Sequence, residues 1–252
     1  MGCKKSLYRE FYKFTHKKLT WFAPLLLLAF MGAFIAYPTA RLLAMLTYDS
    51  GDVITVILVI VGSTMFSMEF QNHAILTLLY RSPRKLDVYF AKLITIFVYD
   101  IILHVIAIIF TLIVASTIKP VSWSAVYRYH QPLIVNMFSL VGVDLVTSML
   151  IISLIFLIST IINSNAIVVT LSLAIVFFGE GISADLMNNN SPLASLAKWN
   201  PFNMYMATLQ YGNYPEYHAT TLLTNPQIIT GALAYIMIFF VAGYLVFRKK
   251  RF

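Results

Sequence analysis

The stretch ITIFVYDIILHVIAIIFTLIVASTI, residues 94–118, decides the fold. Its 25 residues contain one acid, Asp100, and one histidine, His104. Wound as a helix it is about 37 Å long at 1.5 Å per residue, enough to cross a hydrocarbon core of roughly 30 Å. A helix apolar on every side has no polar face to offer water, so it belongs in a bilayer or deep inside a large core. Five further runs read the same way: Trp21 to Ala40, Val53 to Met68, Leu133 to Ile162, Ala166 to Ile182 and Ile228 to Phe247.

The composition leaves no soluble alternative. Of 252 residues, 60% are apolar and 11% charged, and the mean hydropathy is +0.80. That is more apolar surface than one soluble domain can bury. The predicted class is an all-α integral membrane protein with six transmembrane helices, a single transmembrane domain over 1–252 with no stretch long enough for a second globular unit. The lone cysteine, Cys3, excludes an intrachain disulfide or a cysteine metal cluster.

The formal charge of +8 is an orientation signal. With the N-terminus inside, the inner segments hold Lys4, Lys5, Arg9, Lys13, Lys17, Lys18, Arg81, Arg84, Lys85, Lys92, Arg248, Lys249, Lys250 and Arg251, against Arg41, Lys119, Arg128 and Lys198 outside, fourteen to four. The positive-inside rule then puts both termini in the cytoplasm, which agrees with an even number of spans. The same excess attracts anionic membrane lipids, and no nucleic acid is expected.

Residues 1–20 are expected to stay on the chain, because no small-residue cleavage site follows the first apolar run. At 100° per residue Leu7, Phe11, Phe14 and Phe22 share one face while Arg9, Lys13, His16 and Lys17 take the other. This predicts an amphipathic interfacial helix leading into the first span. Met1-Gly2-Cys3-Lys4-Lys5-Ser6 fits an acylation pattern and Lys249-Lys250-Arg251-Phe252 a dilysine pattern. Basic flanks are expected at any inner end, and a six-span protein gains nothing from one acyl chain.

The most informative segment is 69–92. It leaves the second span at Glu69 and carries the apolar run Ile75-Leu76-Thr77-Leu78-Leu79-Tyr80. It breaks at Arg81-Ser82-Pro83, then enters the third span through Arg84, Lys85 and Lys92. Ser82 has an N-cap side chain and Pro83 suits the first helical position. A helix from Pro83 to Ile118 would outrun the bilayer, so its first turns project inward. Outside, 183–227 holds Asn188-Asn189-Asn190, Pro192, Pro201, Pro215 and Pro226 among several tyrosines. Short pieces packed at the outer surface are expected there, and the aromatic loop 119–132 has the same character.

Glutamate, a short helix ending in Leu-Leu, a proline with basic residues, then a lysine entering the next span: this order resembles the first intracellular loop of type-2 ATP-binding-cassette (ABC) exporter permeases. Here it reads Glu69, Leu78-Leu79, Pro83, Arg84-Lys85 and Lys92. Where that family usually has Gly-Thr, this chain has His73-Ala74, and its proline stands about one residue late. The six spans, the interfacial helix and the large outer segment agree with the family over the whole length.

The resemblance implies that the short helix, with Ile75 among its apolar residues, docks into a cleft on a cytoplasmic ABC ATPase subunit and relays nucleotide-driven closure. It also implies that ATP and Mg bind that separate subunit, with no cofactor in this chain. A second permease copy or a sister permease completes the path, in a bacterial plasma (inner) membrane. The cargo range of the family includes antimicrobial peptides, toxins and lipids, and the aromatic-rich spans lean toward an amphipathic peptide or lipid-like cargo.

The chain has no Gly-x-x-x-x-Gly-Lys-[Ser/Thr] phosphate loop, so it is not expected to be an enzyme and has no catalytic residue of its own. Asp100, His104, Asp144 and Glu180 lie in predicted spans, where a charge needs a partner or water. Asp100 and His104 share a helical face and open the alternative of a proton-coupled secondary transporter, against hydrogen bonding within the bundle. Glu180 between Gly179 and Gly181 is read as a break or re-entrant piece. A metalloenzyme is the weakest class, because His16, His73, His104, His130 and His218 lie on different segments without a His-Glu-x-x-His pair.

Overall fold

The computed structural model describes residues 3–71, 84–188 and 194–250. The elements in chain order are α1 (Cys3–Thr15), α2 (Lys18–Phe34), α3 (Ala40–Met45), α4 (Ser50–Gln71), α5 (Lys85–Thr117), α6 (Leu133–Ile161), α7 (Asn165–Asn188), four short helices α8 (Ala194–Ala197), α9 (Pro201–Tyr205), α10 (Ala207–Gly212) and α11 (Tyr214–Thr221), and α12 (Asn225–Lys249). Among the described residues, α4 to α7 and α12 are each long and apolar enough to cross a bilayer, and the bent pair α1–α2 raises the number to six. The chain is thus an all-α integral membrane protein, as its hydropathy requires.

The first span departs from its expected limits. Helix α2 starts at Lys18 and stops at Phe34, six residues before the expected end at Ala40. Pro38 supplies the reason: the residue before a proline is pushed out of the helical region. The last turn tightens instead, with Ile35 N–H on Gly32 O at 3.2 Å and Tyr37 N–H on Phe34 O at 3.1 Å. Pro24 lies inside α2 and has no N–H for the carbonyl of Thr20 four residues back. The Tyr99 hydroxyl of α5 donates to that carbonyl at 2.8 Å. At the 62° bend between α1 and α2, Thr20 Oγ1 donates to Phe14 O at 2.8 Å and Trp21 Nε1 to Thr15 O at 2.7 Å, so the last two carbonyls of α1 are satisfied.

Helix α6 is the central post, packed against α4, α5, α7 and α12. Of its most apolar window 67% is buried within the protein, against 22% for α7 and for α12. These two helices therefore stand at the rim and turn side chains such as Phe177 and Phe178 outward. The α6–α12 contact closes over Gly243, where an added Cβ would overlap the Tyr89 hydroxyl and stand 3.3 Å from Leu157 Cα. Around it Tyr89 packs with Phe156, Phe240, Tyr244 and Phe247.

Two expectations are corrected. Helix α7 runs unbroken through Gly179-Glu180-Gly181 to Asn188. Gly179 makes room for the Phe202 ring, whose Cδ1 would be 3.0 Å from a Cβ there, so the glycine serves packing and not a re-entrant turn. Helix α5 starts at Lys85 with an extended Arg84 at its N-cap (φ −129°, ψ 123°), two residues beyond the expected Pro83 start. The described pieces beyond α7 are short helices, as expected. They seal the far end of the bundle by burying Met204, Met206, Ala207 and Leu223 against α6 and α12. Thr224 and Gln227 form a capping box that starts α12, with Gln227 Oε1 accepting Thr224 N–H at 3.0 Å.

Candidate functional site

At the end of the bundle where α4 leaves and α5 begins, four charged side chains close a ring. Lys92, fully buried, sits 2.7 Å from Glu69 Oε2 and 2.8 Å from Glu10 Oε2. It also donates to Met65 O at 2.9 Å. Lys13 takes the other oxygen of each carboxylate, at 3.2 Å from Glu10 and 3.1 Å from Glu69.

Burial alone would raise the Glu10 carboxyl, but Lys92 and Lys13 override it and hold it below its ordinary value. Burial pushes the neighbouring Lys17 ammonium down, and Lys92 adds to that effect. Glu69 and Lys92, expected from the sequence to serve the same loop, are thus brought together. Glu10 was not expected, although it is the only acid in the first twenty residues.

The remaining residues of the expected ATPase-coupling set divide. Ile75, Leu78, Leu79 and Pro83 lie outside the described residues. Arg84 is exposed at the start of α5. Lys85 reaches across to the last turn of α12 and donates to Arg248 O at 3.1 Å and Lys250 O at 2.8 Å. Lys250 in turn donates to Thr160 O at 2.9 Å and contacts Asn163 Oδ1. The two lysines cap helix C-terminal carbonyls, where the helix dipole favours a cation.

A second polar locus runs down α6 on one face, since Asp144, Thr147 and Ser148 are three and four residues apart. Asp144 lines a cavity of about 270 Å³ with Asp52, Glu180, Thr208, Tyr205 and Tyr217. Thr208 Oγ1 donates to Asp144 Oδ1 at 2.6 Å. Gly51 backs onto the same carboxylate, with Oδ2 3.0 Å from where a Cβ would be. Ser148 Oγ donates to Asp100 Oδ2 at 2.5 Å, and His104 Nδ1 is 3.0 Å from Asp100 Oδ1. Asp100 and His104 thus join α6 through Ser148, one turn from Asp144, while Asp144 and Glu180 share the cavity.

The α4 start that carries Asp52 follows three consecutive left-handed residues, Thr47, Tyr48 and Asp49, at φ 48°, 51° and 60°. Each such residue costs roughly 1–2 kcal/mol. Tyr48, fully buried and edge-on to Phe110 at 6.2 Å, offsets part of that cost. Sequence reading missed Asp52 and Ser148. Among the described residues no group of three or more His, Cys, Asp or Glu side chains is arranged to hold a metal ion.

No curated protein matches the chain. The family profile described as ABC-2 family transporter protein matches residues 6–179, from α1 through most of α7, more than half of the chain. With the bent pair α1–α2, the spans α4, α5 and α6, most of α7 and the Glu69–Lys92 junction in the matched part, this chain belongs to the ABC-2 transporter family as a membrane subunit of an ABC transporter.

Proposed function

We propose that the protein is the permease of an ATP-driven exporter, working as a pair of copies or with a sister permease on separate cytoplasmic ATPase subunits that bind ATP and Mg. Both termini are placed in the cytoplasm of a bacterial cell, and the membrane is its plasma (inner) membrane. The observation that carries this reading is the junction at 2.7 Å between Glu69 and Lys92. It ties the last turn of α4 to the third turn of α5, the two helices that segment 72–83 connects. With 33 residues, α5 measures about 50 Å, well beyond a core of roughly 30 Å, which leaves its first turns for a cytoplasmic partner.

Ile75, Leu78 and Leu79 are assigned to the partner's cleft, Pro83 to the tip and Arg84 to its rim. The acid-and-aromatic cavity of about 270 Å³ supports an amphipathic peptide or lipid-like cargo. The test is the double substitution Leu78→Glu, Leu79→Glu. Each buried leucine is worth roughly 1.5–3 kcal/mol, so association with the ATPase should weaken by about two to four powers of ten. Membrane insertion should be kept. An unchanged complex with unchanged ATP turnover would remove the support for this reading.

The contact of Asp100 with His104 favours a second reading, proton-coupled transport. It predicts activity that persists without ATP and collapses with an uncoupler, and that Asp100→Asn abolishes. In the exporter reading Asp100→Asn lowers stability modestly and leaves ATP dependence intact.

A further inference from the structure

We propose that Glu10 is a positioning residue of the coupling apparatus, through which α1 moves as one body with α4 and α5, the two helices that the ATPase-docking segment connects. The inference rests on the exporter reading and goes beyond it: there the loop touches the spans directly, whereas here a third element joins. Glu10 and Lys13 come from α1, Glu69 from the last turn of α4, and Lys92 from the third turn of α5. The alternating ring closes with all four ion contacts between 2.7 and 3.2 Å.

A buried ion pair adds little net stability over an apolar packing, while loss of one partner leaves an uncompensated charge. Such a ring is therefore poor glue and a good tie: it tolerates no change in the mutual position of its three helices. Segment 72–83 joins α4 to α5, so a displacement applied there reaches Glu69 and Lys92 together and is passed to Glu10. Helix α1 then acts on α2 through the 62° bend, whose carbonyls are fixed by Thr20 and Trp21. Closure of the ATPase would in this way tilt the first span as well as the second and third. Tyr8 and Tyr12, 72% and 56% exposed on α1, leave the opposite face free to slide in the headgroup layer.

The test uses the permease and its ATPase reconstituted together in liposomes, with Glu10→Gln, Lys92→Gln and the double variant. Three quantities are read: ATPase retained on the permease, ATP turnover relative to the isolated ATPase, and the thermal midpoint of the permease. Glu10→Gln is expected to retain the ATPase, to lower the midpoint by several degrees because Lys92 and Lys13 are left with one carboxylate between them, and to lose at least about threefold in permease-stimulated turnover per folded permease. The double variant should be no slower than Lys92→Gln alone, because Glu10 acts through Lys92. Wild-type turnover in Glu10→Gln overturns the inference, as does a loss that only tracks the unfolded fraction. A wild-type permease that retains no ATPase removes the exporter reading and this inference with it. A normal wild-type complex beside an unaffected Glu10→Gln complex removes the inference alone.

Discussion

At the scale of single residues, the charges and hydroxyls near helix ends do work that hydropathy hides. Tyr99 is the clearest instance. Removing its hydroxyl leaves the Thr20 carbonyl, already deprived of a partner by Pro24, unsatisfied in an apolar setting. Tyr99→Phe should cost about 1–3 kcal/mol, seen as a lower thermal midpoint of the detergent-solubilised protein. A midpoint equal to wild type would mean that the carbonyl finds another donor. The Glu10 carboxyl carries a pH signature of known sign. Its value in the folded protein is below the ordinary one, so its contribution is complete above the unfolded value and is lost as pH falls through the folded value. Between about pH 5 and pH 3 the wild type should therefore lose more thermal stability than Glu10→Gln. Parallel losses in the two proteins would show that the ring does not hold the carboxyl ionised.

Among the elements, the long apolar helices were legible because a stretch like 94–118 admits one reading. Their ends were not, because ends are set by local chemistry: Pro38 stops α2 early and an extended Arg84 delays the start of α5 to Lys85. Glu69 and Lys92 could be noted from their order in the sequence. Their partner Glu10 is separated from Lys92 by 82 positions, a distance across which no periodicity reports. The most extensive element contact makes its own prediction. Gly243 admits α12 against α6, so Gly243→Val should force the helices apart and destabilise the protein by about 1–3 kcal/mol, as overpacking does. Gly32, with nothing within 4 Å of an added Cβ, is the matched control. Equal midpoints for Gly243→Val and Gly32→Val would contradict the packing described.

For the whole molecule, sidedness rests on where its cations lie. With Cys3 replaced by Ser, a cysteine at Ser124 should react with an impermeant maleimide on intact cells, and one at Arg84 only after permeabilisation; both native side chains are exposed. Labelling of the Arg84 position in intact cells would invert the topology. The polar line through Asp144 and Asp100 was only half legible, since Ser148 and Thr208 look like ordinary polar residues until α6 is set beside α5 and α10. The hydroxyl bridge from Tyr99 to Thr20 also orders events during synthesis. Helix α2 emerges from the ribosome long before its missing donor, 79 residues downstream, has been translated. Until the third span arrives, the first is a defective membrane segment, open at one carbonyl to water, lipid headgroup or the insertion machinery. Biogenesis of the protein is thus completed backwards at this point, a late segment finishing an early one, and chains truncated before Tyr99 should be selectively vulnerable to quality-control proteolysis.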